Sequence, residues 1–514
     1  MKKGSRFQNV RVYWLAFVVY WGIVLFGYNI SVGGGIVNHP YFQHHFGMYN
    51  ADGTKNTHKV NNISSNVVSS FQAGAFFGAL GSVPISPKLG RIYTLLVYSL
   101  LFCIGAILTT AAESPLNGLA LIYSGRVISG VGIGGISAVA LAYVSECSPK
   151  EVRGRITGLF QIMLATGGVL SYFINYCIGV HISSGANVWR IPFSIQLVPA
   201  CIMTFGLLTV KESPRWLASV NRKDDALKNL AYLRKLPPTS EQVLHEMAEI
   251  QAVAEEERLA REGLQWKEAF FGKGNLIRFV IAFVIFFLQA WSGQNSVNYY
   301  APQIFGSIGY TGTRNSLLAS GVFGIVKSVS SSLLVFFGIE WLGRKLCLII
   351  SAFGMAAFFY IVGILLKTHT PSVTSSTNTS ASSPDAVSQA AAAMIYIYVC
   401  FYCLGWGPLP WVYVSDIFPT RTRHYGLALG TASQWLWSFV VSKTTPDMIS
   451  NLGWKFFITF ATVDIGAIGL FLSLIPETKG RSLEDMDVIF DAISKEERDK
   501  NIIKQEHGQL SFRI

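Results

Sequence analysis

Apolar runs long enough to cross a bilayer recur twelve times along this chain, at 13–36, 67–85, 93–112, 118–143, 156–180, 191–210, 276–299, 317–339, 346–366, 390–414, 425–441 and 454–475. Hydrocarbon offers the backbone no hydrogen-bond partner, so each run must cross as a helix that satisfies its own amides. The pattern predicts an all-α polytopic membrane protein. Composition agrees, with 51% of the 514 residues hydrophobic and only 14% charged.

Six runs precede a long charged segment and six follow it. This division predicts an N-terminal six-helix bundle over 1–210, a linker with short helices over 211–275, a C-terminal six-helix bundle over 276–475 and a tail over 476–514. In the linker, 222–233 carries an apolar stripe among charges, and 241–261 pairs Glu with Arg at helical spacing. The net charge of +12 does not imply nucleic acid, because the cations are sorted by topology. Lys2, Lys3, Arg6, Arg11, Lys88, Arg91, Lys150, Arg153, Arg155, Arg344, Lys345, Arg421 and Arg423 fall on one side, which places both termini in the cytoplasm, with the plasma membrane as the expected location.

The polar segments 37–66 and 368–387 then lie outside and are expected to be mobile, with Asn62 and Asn378 in Asn-X-Ser acceptors for glycosylation. Cys400 and Cys403 read as two small buried thiols on an apolar helix, and the seven cysteines give no disulfide framework. His39, His44, His45 and His58 share a loop without acids at ligand spacing, so no metal site is expected. The glycines of 130–135 sit inside a run and suit close helix packing better than phosphate. No nucleophile has a base beside it, so neither an enzyme nor a cofactor is expected.

One stretch is too apolar for a loop and too polar for lipid. Along 288–302 the residues Gln289, Gln294, Asn295, Asn298, Tyr299 and Tyr300 continue an apolar run. An unpaired amide in hydrocarbon costs several kcal/mol, so these side chains must face protein or a water-filled cavity. Gly293 and Pro302 bracket the part best able to bend.

The halves also echo each other. Glu146, Pro149 and Arg153 follow the fourth run at the spacing at which Asp416, Pro419 and Arg423 follow the tenth. Leu89-Gly90-Arg91 follows the second run as Leu342-Gly343-Arg344 follows the eighth. Repeated halves of this kind suit a transporter whose bundles rock about a central site, with Arg–carboxylate pairs latching one end.

Together these motifs resemble the sugar porter family of the major facilitator superfamily over nearly the whole chain. The resemblance rests on Gly125-Arg126, 146–154, 212–217, 293–302, 405–411, 416–423 and 476–480, and the fungal pentose, hexose and quinate-type branch is the most similar. It implies transport of a monosaccharide, a pentose such as L-arabinose or D-xylose or a hexose, by a monomer in the lipid bilayer. As implied ligands it marks Gln161, Gln289, Asn295, Trp411 and Gln434, while Gln294 stands where the family usually has isoleucine and Ala290 replaces its second glutamine. Asn298, Tyr299, Tyr300 and Lys327 are further binding or gating candidates. A sugar wants such a set, since amides both donate and accept while an aromatic plate covers its C–H face.

The latch set implied by the family is Arg91, Glu146, Arg153, Glu212, Glu340, Arg344, Asp416, Arg423 and Glu477. Pro87 and Ile92 depart from the usual acid and arginine, which puts the first-half latch in question. Asn29 stands opposite Arg126 where proton-coupled members carry aspartate, and an amide does not titrate. The expectation is therefore facilitated diffusion, with proton symport of a sugar, sugar acid or quinate as the alternative and a non-transporting sugar sensor as a second. Lys327 and Asp464, deep in the eighth and twelfth runs, keep the first alternative open.

Overall fold

The computed structural model describes residues 9–113, 117–261, 270–272, 274–337, 343–369, 384–419, 422–469, 472, 475–477 and 489–490. Glu340 and Asn378 lie outside the described residues, as do the side chains of Arg153 and Arg423 and nearly all of the C-terminal tail.

Almost everything described is helical, and the one extended contact among the described residues is an isolated antiparallel bridge between Tyr49 and Lys55. The first half comprises α1 (Val10–Val37), a short α2 (Pro40–His45), α3 (Thr57–Leu89), α4 (Arg91–Thr110), α5 (Gly118–Cys147), α6 (Lys150–His181) and a sixth span divided into α7 (Asn187–Ile195) and α8 (Leu197–Leu207). The second half comprises α12 (Asn275–Trp291) and α13 (Gln294–Ser307), which together form one span, then α14 (Thr313–Phe337), α15 (Arg344–Thr368), α16 (Ala386–Leu404) with α17 (Leu409–Ile417), α18 (Arg423–Leu452) and α19 (Lys455–Val463). A π-helical turn, Asp464–Ile468, continues α19. Among the described residues ten helical segments are long and apolar enough to cross a membrane. The other two expected runs, 425–441 and 454–475, fall on α18 and on α19 with its π-turn.

Between the halves lie α9 (Pro214–Ser219), α10 (Lys223–Arg234) and α11 (Glu241–Arg261), close to the boundaries expected from charge spacing. Ser213 caps α9 by accepting from Trp216 N at 3.2 Å, with Pro214 at the first helical position. Leu217, Leu230, Val243 and Met247 form a small core of their own. Arg234 ties this connector to the bundle, pairing with Glu246 at 2.6 Å and donating to Cys147 O at 3.1 Å.

The glycines of α5 are packing glycines, as expected. A methyl group at Gly130 or Gly134 would strike the backbone carbonyl of Phe71 or Ala75 on α3, so the two helices touch backbone to backbone.

Segment 37–66 differs from its expectation: it is folded rather than loose. His39 Nδ1 accepts from Tyr41 N at 3.2 Å, its Nε2 lies 3.1 Å from Ile182 O, and Phe42, Phe46 and Met48 are buried around Trp189. Asn62 stands exposed on α3, while Ser64 of the same acceptor sequence is fully buried. Polarity was misleading here because the apolar side chains of this stretch find partners on α7, far along the chain.

Candidate functional site

Glycine and proline interrupt the seventh and tenth spans, between α12 and α13 and between α16 and α17, and the site is assembled around those breaks. Gly293 takes φ +92°, a left-handed conformation open to a residue without Cβ, and separates α12 from α13. A second break follows at Tyr300, whose φ and ψ of −122° and 28° leave the helical region just before Pro302. Proline has no N–H to give the carbonyl four residues back. Each of three carbonyls in that position has found another donor. Asn298 O, behind Pro302, accepts from the Tyr172 hydroxyl at 2.7 Å. Ser442 O, behind Pro446, accepts from the Tyr300 hydroxyl at 2.7 Å. Trp406 O, behind Pro410, accepts from Gln289 Nε2 at 2.5 Å.

These substitutions fix the orientation of the side chains predicted as ligands. Gln289 spends its amide hydrogens on the Trp406 and Gly407 carbonyls and keeps a buried Oε1 without a partner. Gln294 donates to Asn298 Oδ1 at 3.1 Å and likewise keeps a buried, unpartnered Oε1. The Oε1 of Gln434 on α18 is in the same condition. Asn295 bridges to Ser438 Oγ at 3.1 Å, while Ser296 and Thr445 share a 2.8 Å hydrogen bond, locking α13 to α18. The structure therefore brings Gln289 against the turn between α16 and α17, joins Gln294 to Asn298 and ties Asn295 to α18, the helix that also carries Gln434. Gln161 on α6 is half-buried, and no contact joins it to this group among the described residues. Trp411 is 38% exposed and packs edge-on against Phe286 at 4.7 Å, on the α12 side of the Gly293 break.

Sequence reading missed Trp291 and Trp437. Both indole Nε1 groups are buried without a hydrogen-bond partner, and Trp437 packs against Phe287 at 4.6 Å. Tryptophans in an apolar run carry no polarity signal, although the run Gln434-Trp435-Leu436-Trp437 places two of them beside an expected ligand.

Arg126 is almost fully buried, donating to Asn29 Oδ1 at 2.9 Å and to Val67 O at 3.1 Å while its guanidinium lies over the Phe71 ring at 4.5 Å. Asn29 in turn donates to Leu25 O at 3.0 Å. Tyr299 and Tyr300 both lie near Arg126 and Gly34 of the other half, but the Tyr299 hydroxyl is near Gln72 and Ser438 whereas the Tyr300 hydroxyl is held within its own half by Ser442. The tyrosine pair thus divides its work, with the Tyr299 hydroxyl the one placed beside a polar side chain of the opposite half. At the far face, away from the start of α1, Asn61 donates to Asp447 Oδ1 at 3.0 Å and Lys443 donates to Asn66 Oδ1. That face is closed.

At the N-terminal face the two halves repeat one construction. Glu212 accepts from the backbone N–H groups of Arg91 and Ile92 at 3.1 and 3.0 Å, capping α4. Glu477 accepts from Arg344 and Lys345 at 3.1 and 2.9 Å, capping α15. Arg91 pairs with Glu146 at 2.8 Å, as Arg344 does with Asp416 at 3.7 Å. Tyr143 donates to Lys211 O and Tyr413 to Pro476 O, at 2.6 and 3.1 Å. The first-half latch is therefore formed despite Pro87 and Ile92, because its acids come from α5 and from the start of the connector. Burial holds the Glu212 carboxyl above its ordinary range, against the pull of the three backbone N–H groups it accepts from, those of Ser213, Ile92 and Arg91.

Two pseudo-symmetric halves, interrupted seventh and tenth spans and buried amides at the interruptions define a membrane transporter of the major facilitator fold. The chain belongs to the sugar transporter family, whose model, described as "Sugar (and other) transporter", matches residues 15–490. It is 36% identical over 485 residues to a probable quinate permease of Aspergillus niger, covering 94% of this chain and 88% of that one. Against the quinate permease of Emericella nidulans it is 35% identical over 487 residues, covering 94% and 89%. Among solved structures, the proton:xylose symporter XylE bound to 6-bromo-6-deoxy-D-glucose matches with a TM-score of 0.75 at 25% identity, over 94% of this chain and all of that one. A partially occluded inward-open conformation of XylE from E. coli matches in fold with a TM-score of 0.74 at 24% identity, covering 92% of this chain and 100% of that one.

Proposed function

We propose that this transporter carries a cyclic polyol of monosaccharide size by alternating access, as facilitated diffusion. The observation that carries the reading is the unspent hydrogen-bonding capacity around the Gly293 break. Three amide oxygens, on Gln289, Gln294 and Gln434, and two indole N–H groups, on Trp291 and Trp437, are buried without partners. Buried polar groups are normally satisfied, and a ring of hydroxyls both donates to such oxygens and accepts from such N–H groups while its C–H faces rest on the indoles. Gln161, Asn295 and Trp411 complete the wall in this reading.

Facilitated diffusion follows from the pair at Arg126. Its partner Asn29 keeps an amide where a proton carrier needs a titrating group, and no carboxylate pairs with Arg126 among the described residues. In the transport cycle the bundles 1–210 and 276–475 rock about the site while 211–275 connects them, with both termini on the cytoplasmic side of the plasma membrane. Opening the outer face breaks the Tyr172–Asn298, Asn61–Asp447 and Lys443–Asn66 contacts, while the Arg91–Glu146 and Arg344–Asp416 pairs, each within one half, hold the inner end of each bundle together as it rocks.

D-xylose and L-arabinose suit the amides and indoles of such a site, and XylE, similar in fold and sequence, is described as a xylose symporter. A second reading, a ring acid such as quinate, is favoured by Lys327 and by the names of the fungal relatives. Labelled pentoses, hexoses, polyols and ring acids offered to cells stripped of their own carriers test the proposal. Uptake of at least one ring polyol is expected; surface expression with binding but no uptake of any would replace the transporter with a sensor.

A further inference from the structure

Lys327 sits deep in α14, where a cation is costly unless something answers it. Its Nζ donates to Asn298 Oδ1 at 3.0 Å, and no carboxylate pairs with it among the described residues. That single acceptor is already shared, because Gln294 Nε2 donates to the same oxygen at 3.1 Å. An ammonium carries three N–H donors, and the described residues give this one a single partner. Beside it in sequence, the Ser328 hydroxyl is buried and also without a partner. Part of the lysine surface remains accessible although the residue lies mid-helix.

The position of this cluster matters. Asn298 belongs to the same broken span as Gln289, Gln294 and Asn295, and its carbonyl is the one that Tyr172 holds across the halves. A carboxylate at Lys327 would thus sit next to the amides that take up ring hydroxyls and against the element that closes the far face. A structural lysine in such surroundings ordinarily has an acid opposite or reaches a helix end. Among the described residues Lys327 does neither.

We infer that Lys327 is the carboxylate anchor of the substrate site, so that the preferred cargo is a cyclic polyol bearing one carboxylate rather than a neutral sugar. The inference rests on the proposed ring-polyol site and specifies its cargo. The amides set the hydroxyl pattern, Lys327 supplies the charge, and Asn298 holds the ammonium in place. A charge-assisted hydrogen bond in a water-poor site separates an acid from its uncharged analogue more sharply than shape does.

Quinate and its carboxamide share the ring and its hydroxyls and differ at the one group, an anionic carboxylate against a neutral amide, and form the probe pair. Uptake of each is measured in carrier-stripped cells for the wild type, Lys327→Gln and Lys327→Arg, with surface abundance quantified for every variant. The wild type should favour quinate over the amide by at least tenfold, a difference of about 1.4 kcal/mol. Lys327→Gln should bring that ratio close to one, and Lys327→Arg should retain most of it. Because the readout is a ratio, poor folding lowers both rates and leaves it interpretable. A ratio unchanged in Lys327→Gln, or a wild type that does not discriminate, overturns the anchor. Uptake of neutral pentoses without quinate overturns it while leaving the ring-polyol reading intact, whereas no uptake of any ring polyol by well-expressed wild type removes that reading as well.

Discussion

The Tyr172 hydroxyl donates to the Asn298 carbonyl at 2.7 Å, joining the fifth span to the seventh at the carbonyl that Pro302 leaves without a helical donor. A helix break in one half is thus satisfied by the other half, so the break is comfortable only while the far face is closed. Leaving a buried carbonyl unpaired costs about 1–3 kcal/mol.

Tyr172→Phe should therefore shift the balance toward a far face that is open. The expected change is roughly 5- to 150-fold in the open-to-closed ratio, the range that about 1–3 kcal/mol produces. Distances between spin labels at the far ends of α3 and α18 read it directly. Unchanged distance distributions would mean that the hydrogen bond does not hold the closed state.

Tyr300→Phe removes a hydrogen bond within one half, to Ser442 O, and is expected to act on stability rather than on gating. The melting temperature of the purified protein should fall by an amount equivalent to about 1–3 kcal/mol, with the label distances unchanged. Altered distances without a loss of stability would assign Tyr300 to the gate after all.

Asn29→Asp places a carboxylate against Arg126, where the amide oxygen now accepts at 2.9 Å. Uptake by the wild type should vary little with external pH from mildly acidic to neutral. The variant should acquire a pH dependence, because it carries a buried group that must gain or lose a proton in the cycle. A wild type as steeply pH-dependent as the variant would place proton coupling elsewhere, with buried Asp464 as the first residue to replace.

Glu212 offers a pH test of the cap on α4. Its carboxyl is raised by burial, so the folded protein binds a proton there more tightly than the unfolded chain does. The stability contributed by this group is full below the ordinary carboxylate value and falls as pH rises through the raised one. Relative to Glu212→Gln, the wild type should lose melting temperature as pH is taken from acid to neutral. A constant difference between the two would show that the carboxyl is not shifted.

Helix count, the two halves and the packing role of Gly130 and Gly134 were legible in the sequence because they depend on local periodicity and composition. The hinge at Gly293 was legible for the same reason. What Gln289 does with its amide was not, since its acceptor, Trp406 O, is exposed by Pro410 more than a hundred residues away. The first-half Arg–acid pair is not legible around Pro87 and Ile92, because Arg91 takes its partner from Glu146 and its helix takes its cap from Glu212. The order of segment 37–66 is hidden by its polarity, because Phe42 and Phe46 are covered by Trp189, which lies far along the chain. Within 288–302 the adjacency of Tyr299 and Tyr300 does not reveal that their hydroxyls serve different partners, because those partners, Gln72 and Ser438 for one and Ser442 for the other, lie on distant helices.

Counterflow in proteoliposomes tests the central claim most directly. With purified protein, no pH gradient and no membrane potential, vesicles preloaded with unlabelled ring polyol should transiently concentrate the labelled compound from outside, and Gln289→Ala should reduce that exchange at least tenfold. Accumulation that appears only when a proton gradient is imposed, or saturable binding without exchange, would contradict facilitated alternating access at this site.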